Sequence, residues 1–171
     1  PHVARAAVNV VPDSGGFDAD EIFALIGTWP RSLLFAAPTM VKRLVDAPAC
    51  AHAPLDGLKC VVYGGGPMYV EDCKAAFATL GPRLAQIYGQ GETPMTITAL
   101  SKADHADRDH PRWRDRMQSV GAPRTDVEVR AGKTGFISKA GYCLATLLRI
   151  PQSDQQVAVV VDVCDGPGRD Q

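Results

Sequence analysis

The chain contains the stretch Leu84-Ala85-Gln86-Ile87-Tyr88-Gly89-Gln90-Gly91-Glu92-Thr93-Pro94-Met95-Thr96. Its first part, Leu84–Ile87, is an apolar run of the kind that forms buried strands. The run ends in an aromatic residue, and glycine, a polar residue, glycine and an acid follow it. This order predicts that the Tyr88 ring and the Glu92 carboxylate lie at the mouth of a sheet, where open α/β sheets bind ligands.

A second strand end of this kind lies upstream, where Lys59–Tyr63 runs into Gly64-Gly65-Gly66-Pro67-Met68. Consecutive glycines let a backbone pass close to a flat or charged group, and the helix that follows offers free N–H groups. The simpler interpretation is an ordinary strand-to-helix turn. The dinucleotide fingerprint G-x-G-x-x-G is not met, because Tyr69 occupies the third glycine's place.

Strand and helix patterns alternate over the first ninety residues or so, with short connections. Such alternation predicts an α/β fold, a parallel sheet with helices on both faces. Asp18 and Glu21 have the spacing of a capping box, and Pro38 suits the first turn of a helix. The predicted strands are Ala6–Val11, Ser32–Ala36, 59–63 and 84–88, and the predicted helices begin after Asp18, at Pro38 and at Val70.

Composition limits the function classes. The 171 residues suffice for one domain or part of a larger one. The net charge of −1 argues against nucleic acid or an anionic membrane as partner, and no apolar run approaches the ~20 residues of a transmembrane helix. Five cysteines without a C-x-x-C pair argue against a zinc site or disulfide framework. With no signal peptide, a cytoplasmic location is expected, and Pro rather than Met at position 1 indicates a fragment or processed piece.

Several residues and short segments could have chemical roles, and each has two interpretations. Tyr88 could stack on a purine or be an ordinary core aromatic. Glu92 could hold Mg²⁺, which takes one or two protein carboxylates, or be a solvated loop acid. The charged stretch 104–110 contains His105 and His110 but predicts a solvated surface rather than a metal site. Gly132-Lys133-Thr134 lacks the upstream glycine of a phosphate loop, since position 127 is Val.

Taken jointly, four segments resemble the adenylate-forming enzymes: the acyl-CoA synthetases, luciferases and peptide-synthetase adenylation domains. Leu34–Met40 is similar to the segment lining the acyl pocket, and Leu58–Met68 to the adenine-side loop. Tyr88–Glu92 is similar to the Tyr-Gly-x-Thr-Glu motif, and Ser119–Pro123 to a later Val-Gly-x-Pro turn. The order and spacing agree over roughly residues 1–130, and the closest resemblance is to fatty-acyl-CoA ligases.

This resemblance implies that a fatty or related carboxylic acid is activated with ATP and Mg²⁺ to an acyl-adenylate and then transferred to coenzyme A. It implies a catalytic role for Glu92 and Thr93, with Glu92 as the Mg²⁺ ligand. The nucleotide-binding residues implied are Gly64, Gly65, Gly66, Pro67, Tyr88, Gly89, Gln90 and Gly91. The residues implied to border the acyl chain are Phe35, Pro38, Thr39 and Gly65.

Departures from the family pattern predict an inactive fragment, about a third of a complete ligase. Gly91 stands where the family has a phosphate-contacting Thr, and Thr93 would substitute only from a shifted position. The family's phosphate loop, its ribose-binding Thr-Gly-Asp, its hinge Arg and its C-terminal catalytic Lys have no counterpart here. The alternatives are a non-catalytic nucleotide- or acyl-binding remnant and, less well supported, an unrelated nucleotide-binding oxidoreductase.

Residues 131–171 cannot be aligned with the family, which motivates the hypothesis that the reading frame shifts soon after Arg130. A ligase-like continuation in either other frame of the coding DNA would support the hypothesis, and its absence from both would refute it. The rival is a divergent tail in which Val157–Val163 forms a buried strand. Because the remainder of a ligase would cover surface exposed here, we also expect marginal stability or self-association.

Overall fold

A computed structural model describes residues 3–89, 95, 97–125, 127–137, 141–149 and 156–163. Its main feature is a five-stranded sheet with the spatial order β1-β2-β3-β4-β5. The first three strands are parallel neighbours, whereas β3–β4 and β4–β5 are antiparallel. The α/β class is therefore confirmed, with two antiparallel strands added at one side. The strands are β1 Ser32–Ala36, β2 Leu58–Tyr63, β3 Leu84–Tyr88, β4 Thr98–Leu100 and β5 Ala122–Pro123.

Helices connect the parallel strands, as the sequence predicts. Asp18 caps α1 by accepting a hydrogen bond from the backbone N–H of Glu21, at 2.9 Å, and Pro38 occupies the first turn of α2. Gly81 ends α3 with a φ of 70°, a left-handed conformation that favours glycine. The helices are α1 Ala19–Thr28, α2 Pro38–Asp46, α3 Val70–Leu80, α4 Lys102–Ala106 and α5 Trp113–Met117. Among the described residues, 3-10 segments span Val3–Arg5, Pro48–His52 and Leu55–Gly57.

The hydrophobic core lies against one face of the sheet. Ala36 is paired with Tyr63, and both side chains are buried. Because side chains alternate along a strand, Leu33 and Phe35 lie on the opposite face, where each is 45% exposed. The buried side chains of the helices complete the core, and they include Ile22, Phe23, Ile26, Val41, Leu44, Val70, Cys73, Ala76 and Leu80.

The predicted strand at Ala6–Val11 is wrong. The structure has a turn and irregular backbone there, and Val8 and Val11 are 67% and 81% exposed. The β-branched composition favours an extended chain, but a strand also needs a hydrogen-bonded partner. In the described residues β1 is paired with β2 alone, so the segment 6–11 has no ladder and is not a strand.

The predicted solvated surface at 104–110 is wrong for His105, which is 1% exposed. Trp113 and Met117, in the same charged region of the sequence, are buried as well. These three residues anchor the short helices α4 and α5 to the core. The sequence does not reveal this anchoring, because the neighbouring residues are charged. Single buried residues in five-residue helices also give no recognisable hydrophobic period.

A second sheet has the order β6-β7-β8 and consists of the strands Glu128–Ile137, Gly141–Arg149 and Gln156–Val163. Its pairings are antiparallel. The strand prediction at Val157–Val163 falls within β8. The division of the chain at residue 130 stays a prediction, as does the frame-shift hypothesis. Among the described helices, none has the length and apolarity that crossing a membrane requires.

Candidate functional site

The carboxyl ends of β1, β2 and β3 meet at one edge of the sheet, because the three strands are parallel neighbours. The loops that leave this edge hold most of the residues predicted to form the site. Pro38 and Thr39 follow β1, Gly64–Pro67 follow β2, and Gly89 follows β3. Segments distant in sequence are thus brought together where open α/β sheets bind ligands.

Two glycines of the β2 loop have structural reasons to be glycine. A Cβ atom on Gly64 would overlap the carbonyl oxygen of Ile87, so Gly64 permits the β2 and β3 ends to approach closely. Gly65 has a φ of 80°, in the left-handed region, and the space where its Cβ would lie is open. The turn therefore leaves an uncrowded backbone surface, the arrangement that a flat ligand needs.

The loop also contacts the segment after β1. A Cβ placed on Gly66 would lie 3.7 Å from Cδ of Pro38, so these two predicted site residues are neighbours. Pro38 is buried, whereas Thr39, Gly65, Gly66 and Pro67 are exposed. The structure thus joins the predicted acyl-side and adenine-side loops at one point.

Two helices begin at this edge without a side-chain cap. The N-cap residues of α2 and α3, Ala37 and Tyr69, make no capping hydrogen bond through their side chains. The first N–H groups of a helix carry partial positive charge and favour anions. Glu71 and Asp72 occupy the first turn of α3 and offset part of this effect there, whereas the first turn of α2 has no acidic residue.

Phe35 and Tyr88 lie on opposite faces of the sheet. Tyr63 is paired with Gln86, and Tyr88 shares the face of Gln86 because it lies two residues further along the strand. Phe35, paired with Val62, is on the other face. Tyr88 is half-buried and engaged in an interaction. The structure therefore does not bring the predicted acyl-side ring and the predicted adenine-stacking ring together.

The predicted catalytic and metal-binding residues, Glu92 and Thr93, lie outside the described residues, as do Gln90 and Gly91. Within the described part of the chain, no three His, Cys, Asp or Glu side chains converge as a metal site. A magnesium site of the usual kind needs only one or two protein carboxylates. Glu92 as its ligand therefore stays a prediction.

Gln86 is a residue of this region that the sequence-based site did not include. It is 7% exposed, and its Oε1 has no hydrogen-bond partner among the described residues. A buried carbonyl oxygen without a partner costs about 1–3 kcal/mol. Its sequence signal is a polar residue inside the apolar run 84–87, two positions before Tyr88 on the same face.

A buried hydrogen-bond chain lies behind the edge, where β2 ends. The Tyr63 hydroxyl is 2.8 Å from Nε2 of His105, and Nδ1 of His105 is 2.7 Å from the Ser101 carbonyl oxygen. A carbonyl oxygen only accepts, so Nδ1 carries the proton and Nε2 accepts from Tyr63. Burial raises the pKa of Tyr63 and lowers the pKa of His105, so both groups are neutral at pH 7.

Comparison with known proteins places this geometry in a family. Residues 1–133 match the family described as AMP-binding enzyme. The medium/long-chain-fatty-acid–CoA ligase FadD8 of Mycobacterium tuberculosis is 30% identical over 139 residues, which are 75% of this chain and 23% of that protein. A medium/long-chain-fatty-acid–[acyl-carrier-protein] ligase of the same species, FadD10, is 31% identical over 91 residues, 53% of this chain and 17% of that protein.

Solved structures agree with these relatives. The amide bond synthetase McbA from Marinactinospora thermotolerans superposes with a TM-score of 0.63 at 28% identity, over 81% of this chain and 27% of that one. The N-terminal domain of FACL13 from Mycobacterium tuberculosis shares the fold, with a TM-score of 0.55 at 20% identity, over 77% of this chain and 32% of that one. The chain thus spans about a quarter of the length of the relatives it matches.

Proposed function

The chain belongs to the family of AMP-binding enzymes, and on that premise we propose that it forms the adenylate-binding part of a ligase. The ligase would activate a fatty or related carboxylic acid with ATP and transfer the acyl group to coenzyme A. The substrates are proposed from the resemblance to FadD8, whose name specifies a fatty acid and CoA. The match to FadD10, named for an acyl carrier protein, makes a carrier protein the second candidate acceptor.

The observation that carries the proposal is the shared edge formed by the loops after β1, β2 and β3. Gly64–Pro67 and Pro38 meet there, and Tyr88 ends the adjacent strand. We propose that Gly64, Gly65, Gly66 and Pro67 border the adenine, that Tyr88 stacks on it, and that Gly89, Gln90 and Gly91 continue the nucleotide site. The uncapped N-terminus of α2 supports an anionic group at this edge.

The acyl-side and catalytic assignments are part of the same proposal. Pro38, Thr39 and Gly65 would border the first carbons of the acyl chain. Phe35 would contact the chain only where it passes to the other face of the sheet. Glu92 would hold Mg²⁺, which offsets the phosphate charge, and Thr93 would contact phosphate. Catalysis of this kind consists largely of positioning and charge stabilisation.

We further propose that the chain by itself binds adenylate without turning over. The reason is that several of the family's motifs have no counterpart in this sequence. A remnant that binds nucleotide or acyl groups without catalysis is the second candidate function. A radiolabelled ATP–pyrophosphate exchange assay tests the inactivity that both candidates share, because detectable exchange with any fatty acid would refute it.

The experiment that tests the site is calorimetric titration of the folded chain with a non-hydrolysable acyl-adenylate analogue. We expect saturable binding that Tyr88→Ala weakens about tenfold, since base–aromatic stacking contributes about 1–3 kcal/mol. Trp29→Ala is the control, because Trp29 is a 42% exposed aromatic residue at the C-terminus of α1, before the amino end of β1 and therefore away from this edge. No binding by a folded chain, or equal losses in both variants, would refute the proposed site.

The proposed role of Glu92 as the Mg²⁺ ligand can be tested separately. If Glu92 holds the metal, Glu92→Gln removes the Mg²⁺ dependence of ATP binding in the same calorimeter, and an unchanged dependence excludes that role.

A cytoplasmic location is proposed from the free cysteines Cys50, Cys60 and Cys73, since thiols persist in reducing compartments. Cell fractionation that places the chain in a secreted or envelope fraction would contradict it.

A further inference from the structure

The buried hydrogen-bond chain of His105 ends one residue before the glycine loop, residues 64–66. Tyr63 is the last residue of β2, and its hydroxyl is 2.8 Å from Nε2 of His105. The two rings are in edge-to-face contact, with centroids 5.7 Å apart and planes at 79°. Gly64 follows directly and lies so close to the Ile87 carbonyl oxygen of β3 that a Cβ atom would overlap it. The chain therefore anchors Tyr63 immediately before the point at which the two strand ends approach.

His105 is itself fixed from two further directions. Its Nδ1 donates to the Ser101 carbonyl oxygen, at 2.7 Å, and the indole of Trp113 donates to its carbonyl oxygen, at 3.0 Å. Nε2 of the neutral ring is thus the acceptor for Tyr63, and the two side chains are 1% and 0% exposed. Protonation would make both ring nitrogens donors, so the Tyr63 hydroxyl would no longer donate to the ring. It would also place a charge in the core.

The described surroundings offer little compensation for such a charge. Helix α4 packs against α5 and β3, and β3 has no charged side chain. Asp104 of α4 is the carboxylate beside His105, but it is also 4.0 Å from the Arg116 guanidinium of α5. Cys73 of α3, next to the Tyr63 hydroxyl, is neutral because burial raises the pKa of its thiol. Burial lowers the pKa of His105 more than Asp104 raises it.

We propose that His105 is a positioning residue for the glycine loop, and that adenylate binds more weakly when His105 is protonated. The inference rests on the proposed adenylate site and adds a dependence of its affinity on pH. Protonation removes the hydrogen bond that Tyr63 donates, and it favours withdrawal of α4 from the core because a buried charge is unfavourable there. The end of β2 then loses its anchor, and the glycine loop loses the position in which it would border adenine.

The first test needs no ligand. An NMR titration of the labelled chain from pH 7.5 to 5.0 follows the His105 imidazole and the backbone amides of Gly64 and Gly65. We expect the glycine amides to shift with the midpoint of His105. They should not shift in His105→Gln, whose carboxamide oxygen can still accept from the Tyr63 hydroxyl. His52→Gln is the control, because His52 is exposed and the glycine shifts should persist. Glycine amides that do not follow His105 in the unsubstituted chain would overturn the proposal.

The second test is the calorimetric affinity for the acyl-adenylate analogue over the same pH range, with circular dichroism to confirm folding at each pH. The affinity should fall about fivefold in the unsubstituted chain and in His52→Gln, the lower end of usual coupling between sites. It should be nearly constant in His105→Gln and in Tyr63→Phe, although Tyr63→Phe is the less stable protein. A purely structural role of the hydrogen bond predicts lower stability without this loss of pH dependence.

The two tests together distinguish this inference from the proposed function. Analogue binding with the same affinity at every pH would overturn the positioning role of His105 and leave the adenylate site in place. Glycine amides that follow His105 in a folded chain without analogue binding would refute the adenylate site and support the coupling. Linkage requires that saturating analogue, in turn, moves the midpoint of His105 to lower pH, and an unchanged midpoint would contradict the proposal.

Discussion

The Tyr63 hydroxyl donates to Nε2 of His105 across 2.8 Å inside the protein, although the two residues are 42 positions apart. Tyr63 ends the strand β2 that leads into the glycine loop, and His105 belongs to the short helix α4. The indole Nε1 of Trp113 donates to the His105 carbonyl oxygen, at 3.0 Å. His105 therefore connects α4 and α5 to the end of β2, behind the edge of the sheet at which we propose that adenylate binds.

Removing the tyrosine hydroxyl should destabilise the fold. Tyr63→Phe leaves Nε2 of His105 buried without a donor, and the expected loss is about 1–3 kcal/mol of unfolding free energy. Urea unfolding followed by circular dichroism measures it. Tyr69→Phe is the control, since Tyr69 is 56% exposed, and equal effects of the two substitutions would contradict the role of the hydrogen bond.

Stability should fall on mild acidification because of His105. Burial lowers the pKa of His105 below the ordinary value of 6.5 for histidine, so the unfolded state binds more protons in this range and stability rises with pH. The contribution is complete above pH ~6.5 and is lost as pH falls from there toward the folded-state pKa. Carboxyl groups with lowered pKa, such as that of Asp104, act in a lower window, below about pH 4.

The measurement is the urea-unfolding free energy of the chain and of His105→Gln between pH 7.5 and 5.5. His52→Gln is the control, because His52 is exposed. The pH slope should disappear in His105→Gln and persist in His52→Gln. A slope that survives the loss of His105 would show that another group is responsible.

Alanine at Gly64 should be poorly tolerated. The new Cβ would overlap the Ile87 carbonyl oxygen, and relief of such overpacking typically costs about 1–3 kcal/mol. Gly16→Ala is the matched control, since no atom lies within 4 Å of the corresponding Cβ position. Thermal denaturation should show a several-degree lower Tm for Gly64→Ala alone, and equal Tm values would refute the close approach of the two strand ends.

Valine at Gly65 tests the turn rather than the packing. The surroundings are open, but the φ of 80° is unfavourable for a β-branched residue. We expect weaker binding of the acyl-adenylate analogue in Gly65→Val, with a Tm that falls less than in Gly64→Ala. Unchanged analogue affinity in a folded Gly65→Val variant would remove this glycine from the proposed site.

Self-association should follow from the face of the sheet opposite the core. Leu33 and Phe35 are each 45% exposed there, and exposed strands at a sheet edge pair readily with other chains. Sedimentation velocity at micromolar concentration should detect dimers or larger species. Leu33→Lys should reduce them, whereas Val11→Lys, at an 81% exposed residue outside the sheet, should not. A sharply melting monomer would contradict the prediction.

Local sequence signals determined much of the fold. The bounds of β1 and β3 and the start of α3 agree with the predicted ones, because each of these elements is a short periodic segment beside strong stop signals such as Gly81-Pro82. The positions of Pro38 and of the glycine loop followed from the same local chemistry. The sequence by itself therefore identified the α/β class and the edge at which the predicted site residues gather.

Tertiary structure decided what depends on partners distant in the chain. Ala6–Val11 has strand composition, yet no strand in the described part of the chain pairs with it, and β-structure requires such pairing. His105 lies in a charged stretch but is buried, because Tyr63 and Ser101 supply its hydrogen bonds. The separation of Phe35 from Tyr88 onto opposite faces depends on the register between three strands, which no single segment encodes.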